Sequence, residues 1–165
     1  MTPPGSDKSV EIRPITGDDW RLWRTIRLEA LQDAPTAFGS TYERERGFAE
    51  ADYRDRLDED APAVLAMAGD LPVGMGAGYQ DIEGWLHLVA MWVSPQWRGH
   101  GIGVRVLDHL VGWAREHGLR VHLDVTVGNE GARLLYQRHG FVGTGETEPL
   151  RPGSSYRIER MILPE

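Results

Sequence analysis

The chain has 165 residues, 41% hydrophobic and 26% charged, with no cysteine and a formal net charge of −7. That length supports one core and one site, the composition is that of a globular domain with no membrane-length apolar run, and the missing cysteines exclude a disulfide, a thiol nucleophile and a thiolate metal site. The negative charge opposes adhesion to nucleic acid and favours a cationic ligand such as an amine.

Residues 1–9 lack the basic and apolar segments of a secretory signal. They read as a disordered lead-in to a single domain over 10–165, with a cytoplasmic location that suits the absence of cysteine. Residues 10–15 alternate like a strand, and Thr16 with Asp19 makes a capping-box pattern. The helix it opens runs through Trp20, Trp23, Ile26, Arg27, Ala30 and Leu31, and stops before Pro35 because the residue preceding a proline is biased out of the helical region. A loop around Phe38, Gly39 and Ser40 follows. From Glu43 to Asp60 acids alternate with arginines, which predicts one or two exposed, salt-bridged helical turns with a solvated face.

Two apolar runs, 62–68 and 71–79, flank Gly69 and Asp70 and predict a β-hairpin. Glu83 and Gly84 make another turn. Residues 85–93 are apolar at nearly every position, as in a central strand covered on both faces, with His87 the exception. After Pro95 a glycine-rich turn leads into a helix striped by Ile102, Val106 and Leu110 and closed by Gly118. Val121, Leu123 and Val125 alternate as a strand. Gly128 and Asn129 then open a helix bearing Ala132, Leu135 and Tyr136 that ends at Gly140, and 141–145 and 156–163 are closing strands. With βαβ units in the middle and hairpins at both ends, the class is α/β, a mixed sheet packed against helices on two faces.

Arg98, Gly99, His100, Gly101, Ile102 and Gly103 sit between the apolar strand and the amphipathic helix. Backbone N–H groups and a helix N-terminus converge on an anion at such a turn, glycines admit a pyrophosphate without a Cβ in the way, and Arg98 can add a charge-assisted contact. A tight turn that needs glycine only for packing is the alternative. A nucleoside-triphosphate loop is excluded, because Gly103 is followed by Val104 and Arg105 where lysine and then serine or threonine are required. A dinucleotide fingerprint fits poorly, since the next strand ends in Val125, Thr126 and Val127 with no acid.

The hexapeptide resembles the coenzyme A pyrophosphate loop of the GCN5-related N-acetyltransferase (GNAT) superfamily: glutamine or arginine, two residues, glycine, one residue, glycine or alanine. Gln96 with Gly99 and Gly101 satisfies it, and so does Arg98 with Gly101 and Gly103. Asn129, Ala132, Leu135, Tyr136, Gly140 and Phe141 match a second superfamily motif in full, and 33–40 is similar to the acceptor-side loop of many bacterial members. The resemblance covers nearly the whole chain. It implies the GNAT fold, with a mostly antiparallel mixed sheet, and an N-acetyltransferase that moves the acetyl group of acetyl-CoA directly to a primary amine, small molecule or peptide, in a ternary complex. It also allows a homodimer, common among relatives, and gives no role to nucleic acid or membrane.

By the same resemblance, the main chain of Met91, Trp92 and Val93 holds the pantetheine arm and polarises the thioester, while the side chains are core. Arg98, Gly99, His100, Gly101, Ile102 and Gly103 hold the pyrophosphate. Asn129 binds a pantetheine amide, a role compatible with capping its helix. Tyr136 protonates the leaving thiolate, the alternatives being a packing aromatic or a cofactor contact. Histone-acetylating relatives carry a catalytic glutamate near position 87, whereas this chain has His87. A histidine there can take the amine proton directly or through water, or can be a hydrogen-bonded core residue; Glu83 and Asp81 are the next candidate bases. His109, His117, His122 and His139 show no metal-ligand pairing with carboxylates, and no metal is expected. The acceptor side offers an acidic, aromatic-bearing segment around Phe38, Tyr42, Glu43 and Glu45. Two functions of other classes remain: an acyl-CoA-binding sensor without turnover, and a nucleotide-binding regulator.

Overall fold

A computed structural model describes residues 9–165 apart from Glu59, so most of the expected lead-in lies outside the described residues. Strands β1 (Val10–Pro14), β2 (Ala63–Ala68), β3 (Leu71–Ile82), β4 (Trp85–Val93), β5 (Arg120–Thr126), β6 (Val142–Pro149) and β7 (Arg157–Leu163) form one seven-stranded sheet in the order β1-β2-β3-β4-β5-β7-β6. All neighbours are antiparallel except β4 and β5, which run parallel because a helix connects them.

Among the described residues five α-helices cover the faces: α1 (Trp20–Asp33), α2 (Tyr42–Glu45), α3 (Glu50–Leu57), α4 (Ile102–Glu116) and α5 (Glu130–Arg138). Alternation along each strand splits the core in two. Leu86, Leu88, Val121 and Leu123 meet Val106, Leu110 and Tyr136 on one face. Leu65, Met67, Met75 and Trp92 meet Trp23, Ile26 and Leu31 on the other. Among the described residues no helix is long and apolar enough to cross a membrane.

The expected starts and stops are present. Thr16 and Asp19 form the capping box, Gly118 and Gly140 follow helices with positive φ, and α1 ends at Asp33. The segment from Glu43 corrects one expectation. Arg54 does make exposed pairs with Glu50 and Asp18, but the face is not wholly solvated. Glu45 is 1% exposed and takes a bidentate ion pair from Arg27 at 3.0 and 2.9 Å, while the Tyr53 hydroxyl donates to its carbonyl at 2.8 Å. Acidic composition alone does not show that one acid turns inward to an arginine on α1.

Candidate active site

β4 and β5 pair only from Trp85 opposite Arg120 to Leu88 opposite Leu123. Beyond that point β5 continues along β7, and residues 89–93 of β4 have no partner on that side. The cause lies in β4 itself. Between Met75 opposite Trp92 and Ala77 opposite Val89 it carries one residue more than β3, and Ala90 has φ 60, the only non-glycine left-handed residue among those described. That conformation costs about 1–2 kcal/mol for an L-residue, and such strain tends to collect at functional sites. The wedge holds a cleft of about 580 Å³ lined by Val89, Ala90, Met91, Leu123, Asp124 and Tyr136, among others. A strand edge with unpaired N–H and C=O groups beside an apolar slot suits an extended, amide-bearing ligand.

At the end of β4 a 3-10 turn, Pro95–Trp97, leads into the glycine loop. Gly99 and Gly101 have φ 82 and 77, and a Cβ on either would meet nothing within 4 Å, so these glycines serve backbone conformation in open space. Arg105 N–H is bonded to the Gly101 carbonyl at 3.1 Å, which leaves the N–H groups of Ile102, Gly103 and Val104 without partners inside the helix. Gly103 is different: a Cβ there would make ordinary contact with Leu135 Cδ2 at 3.4 Å and Val93 Cγ2 at 3.8 Å. Arg98 is committed elsewhere. Its Nε donates to the Val93 carbonyl and its Nη2 to Asp33 Oδ2, both at 2.9 Å, and that same oxygen accepts from Trp92 Nε1 at 2.9 Å. Trp92 is core, as expected, but its indole also ties β4 to the end of α1.

Tyr136 lines the cleft from α5, 7% exposed, and edges onto Phe141. Burial pushes its pKa up to about 12. Asn129 caps the same helix, its side-chain oxygen accepting from Ala132 N–H at 3.2 Å. His87 lines the cleft from β4. Its Nε2 lies 3.6 Å from Asp124 Oδ2 and its Nδ1 3.8 Å from Asp81 Oδ2, both beyond hydrogen-bond length, and Nδ1 is enclosed without a partner. Burial lowers the His87 pKa, outweighing the Asp124 carboxylate, which works to raise it. His87 is thus a buried histidine, but not a fully hydrogen-bonded one.

The acceptor-side loop is anchored from below. Thr126 Oγ1 donates to the Thr36 carbonyl at 2.6 Å, Arg151 Nη1 to that of Phe38 at 3.0 Å, and the Arg27 guanidinium lies 5.0 Å over the Phe38 ring. Phe38, Trp23 and Arg56 join the cleft wall there, whereas Glu45, expected among the acceptor-side acids, faces inward.

The histidine expectation needs correction. His122 Nε2 lies 2.9 Å from Asp81 Oδ1 and His139 Nε2 lies 2.6 Å from Asp108 Oδ1, so both pair with carboxylates, 41 and 31 residues away in the chain. The premise for expecting no metal therefore falls. Asp124 and Asp33 escaped the sequence reading too. Asp124 is two positions from His122, the spacing that puts both on one sheet face, but the register that brings His87 beside them is not written in either segment.

A sequence model described as the Acetyltransferase (GNAT) family matches residues 23–141. The chain is 31% identical over 153 residues to a mycothiol acetyltransferase of Nocardiopsis dassonvillei, covering 84% of this chain and 44% of that protein. It is 27% identical over 143 residues to a peptidyl-lysine N-acetyltransferase of Escherichia coli, covering 82% and 91%. The chain thus spans less than half the length of the first relative and most of the second. Among solved structures, a putative acetyltransferase from Salmonella typhimurium with its cofactor acetyl-CoA superposes with a TM-score of 0.75 at 19% identity, covering 94% of this chain and 95% of that one.

Proposed function

Because the chain belongs to the acetyltransferase (GNAT) family, we propose that it transfers the acetyl group of acetyl-CoA to a primary amine by direct attack in a ternary complex. The observation that carries the reading is the wedge between β4 and β5, where an unpaired strand edge and the Tyr136 ring line one cleft, while the same strand leads on into a glycine loop at a helix N-terminus.

The residues present fit acetyl-CoA. Residues 89–92 offer main-chain groups to the pantetheine arm as a neighbouring strand would, and an N–H there can stabilise charge developing on the thioester oxygen. Gly99, His100, Gly101, Ile102 and Gly103 present backbone N–H groups and the positive end of α4 to the pyrophosphate. Nε and Nη2 of Arg98 fasten this loop to Val93 and Asp33, so its main part is positioning. The Val93 carbonyl is engaged by that contact, and the Asn129 oxygen by its cap, which leaves the Asn129 amide NH₂ for a pantetheine carbonyl. When bound, acetyl-CoA supplies an activated acyl group.

His87 takes the amine proton at Nε2, beside Asp124, whose carboxylate draws an incoming ammonium. Tyr136 hydrogen-bonds the developing thiolate and hands over its proton as the thiol leaves. The two relatives are named one for mycothiol and the other for peptidyl-lysine, so the acceptor class stays small-molecule or peptide amine.

The test is Tyr136→Phe, which keeps the ring and deletes the hydroxyl. Turnover should fall about 10²-fold, the usual range for acid catalysis, with acetyl-CoA affinity and melting temperature unchanged. Normal turnover with weakened acetyl-CoA binding would make Tyr136 a cofactor contact and leave water as the proton donor.

A further inference from the structure

Three adjacent strands each place one metal-binding side chain on the same face of the sheet: Asp81 on β3, His87 on β4 and His122 on β5. Tyr79 stands opposite His87 and His87 opposite His122, and an irregularity in β3 between Tyr79 and Ile82 lets the Asp81 carboxylate reach both imidazoles. One ligand atom from each lies within 4.8 Å of the others. His122 Nε2 is 2.9 Å from Asp81 Oδ1, and His87 Nδ1 is 3.8 Å from Asp81 Oδ2.

His87 is only 6% exposed, yet its Nδ1 has no hydrogen-bond partner and points at this group. A buried nitrogen left so is costly and calls for a partner that the protein itself does not provide. Its other nitrogen faces Asp124, which is held in turn by Arg160 Nε at 3.2 Å. A carboxylate behind an imidazole is the usual outer support of a metal-binding histidine.

We propose that Asp81, His87 Nδ1 and His122 Nε2 form a binding site for a divalent transition-metal ion of the zinc type. Two imidazoles and a carboxylate suit zinc, cobalt, nickel or copper and not magnesium or calcium, which prefer oxygen. With bonds of about 2.0–2.2 Å, tetrahedral ligand atoms stand about 3.4 Å apart, so an ion would draw together by a small side-chain adjustment three atoms that already lie within 4.8 Å of one another. The Asp81 side chain, 20% exposed, gives the ion its way in and leaves a fourth position to water.

The site also reaches the chemistry. A neutral imidazole has one N–H, so an ion on Nδ1 fixes the proton on Nε2, on the side that faces Asp124, and no amine proton can be accepted there. The ion is therefore an inhibitor. That consequence rests on His87 being the base, whereas binding of the ion does not.

The test is titration of the whole chain, freed of any histidine tag and stripped by chelator, with Co²⁺. The expected result is one equivalent bound with the intense visible absorption of tetrahedral cobalt, displaced by one equivalent of Zn²⁺. Asp81→Asn, which preserves shape at an exposed position, and His122→Gln should each weaken binding at least tenfold. Only the faint spectrum of six-coordinate cobalt, or affinity unaltered in Asp81→Asn, would assign the metal to surface histidines such as His117 and overturn the site. Stoichiometric Zn²⁺ should also suppress acetyl transfer. Tight binding without suppression keeps the site and removes His87 as the base.

Discussion

Burial holds the Tyr136 phenol at about 12, so its hydroxyl stays protonated through the neutral range, and an alkaline limb in the rate profile has to come from another group. His87 is the other residue proposed to handle a proton, and that role separates from packing by choice of acceptor. His87→Gln should lower kcat about 10²-fold for an alkylamine, which must lose a proton, and far less for an amine whose own pKa lies below the assay pH. Equal losses for both would return His87 to the core. Glu45 shows a different kind of residue effect. Burial works to raise its pKa, but hydrogen bonding and charge from Arg27 outweigh that and hold it below the usual carboxylate range. A depressed folded pKa means that the pair stabilises the fold above the ordinary carboxylate value, and that this contribution is lost as pH falls through the folded one. Glu45→Gln strands the Arg27 charge in the interior, and denaturant unfolding at neutral pH should show a loss of about 3–5 kcal/mol that narrows in acid. A loss independent of pH would mean that packing, not charge, dominates. Tyr136 was legible from its motif spacing. Asp33 and Asp124 were not, because they act on residues 65 and 36 positions away, and Asp81, named only as a candidate base, gave no sign of its pairing with His122, 41 positions on.

At the scale of elements, helix periodicity and turn residues placed the strands and helices within a few positions, since caps and apolar stripes are local properties. What escaped was how the elements lean on each other. Gly74, Gly76 and Gly78 alternate along β3, and a Cβ on Gly76 would stand 2.6 Å from Val106 Cγ1, 2.8 Å from Met91 Sδ and 2.9 Å from Leu110 Cδ1. The missing side chains let α4 settle against the sheet. Gly76→Ala should therefore destabilise by about 1–3 kcal/mol by overpacking and, because Met91 lines the cleft, also weaken acetyl-CoA binding. Unchanged melting would show that the helix has room to move. The departure of β4 from β5 was legible only through the family resemblance, which set the pantetheine arm along Met91, Trp92 and Val93: apolar strands read alike whether or not they pair, and Ala90 does not advertise a left-handed turn as glycine would.

For the whole molecule, the sequence carried the fold class, because alternating βαβ units flanked by hairpins leave few sheet arrangements open. Net charge carried less. The chain's −7 argued for a cationic ligand, yet the cleft wall includes Arg27 and Arg56 as well as Asp124, so the overall balance does not describe the site. The central claim is that one cleft binds acetyl-CoA and delivers its acetyl group to an amine. Its most direct test follows free thiol from acetyl-CoA with the whole chain, with and without a panel of primary amines that includes small molecules and lysine peptides, alongside calorimetric binding of acetyl-CoA. Saturable thiol release that requires an amine, with acetylated product in equal amount, is the predicted result. Tight acetyl-CoA binding with no amine-dependent release across the panel would contradict it and make the protein a sensor.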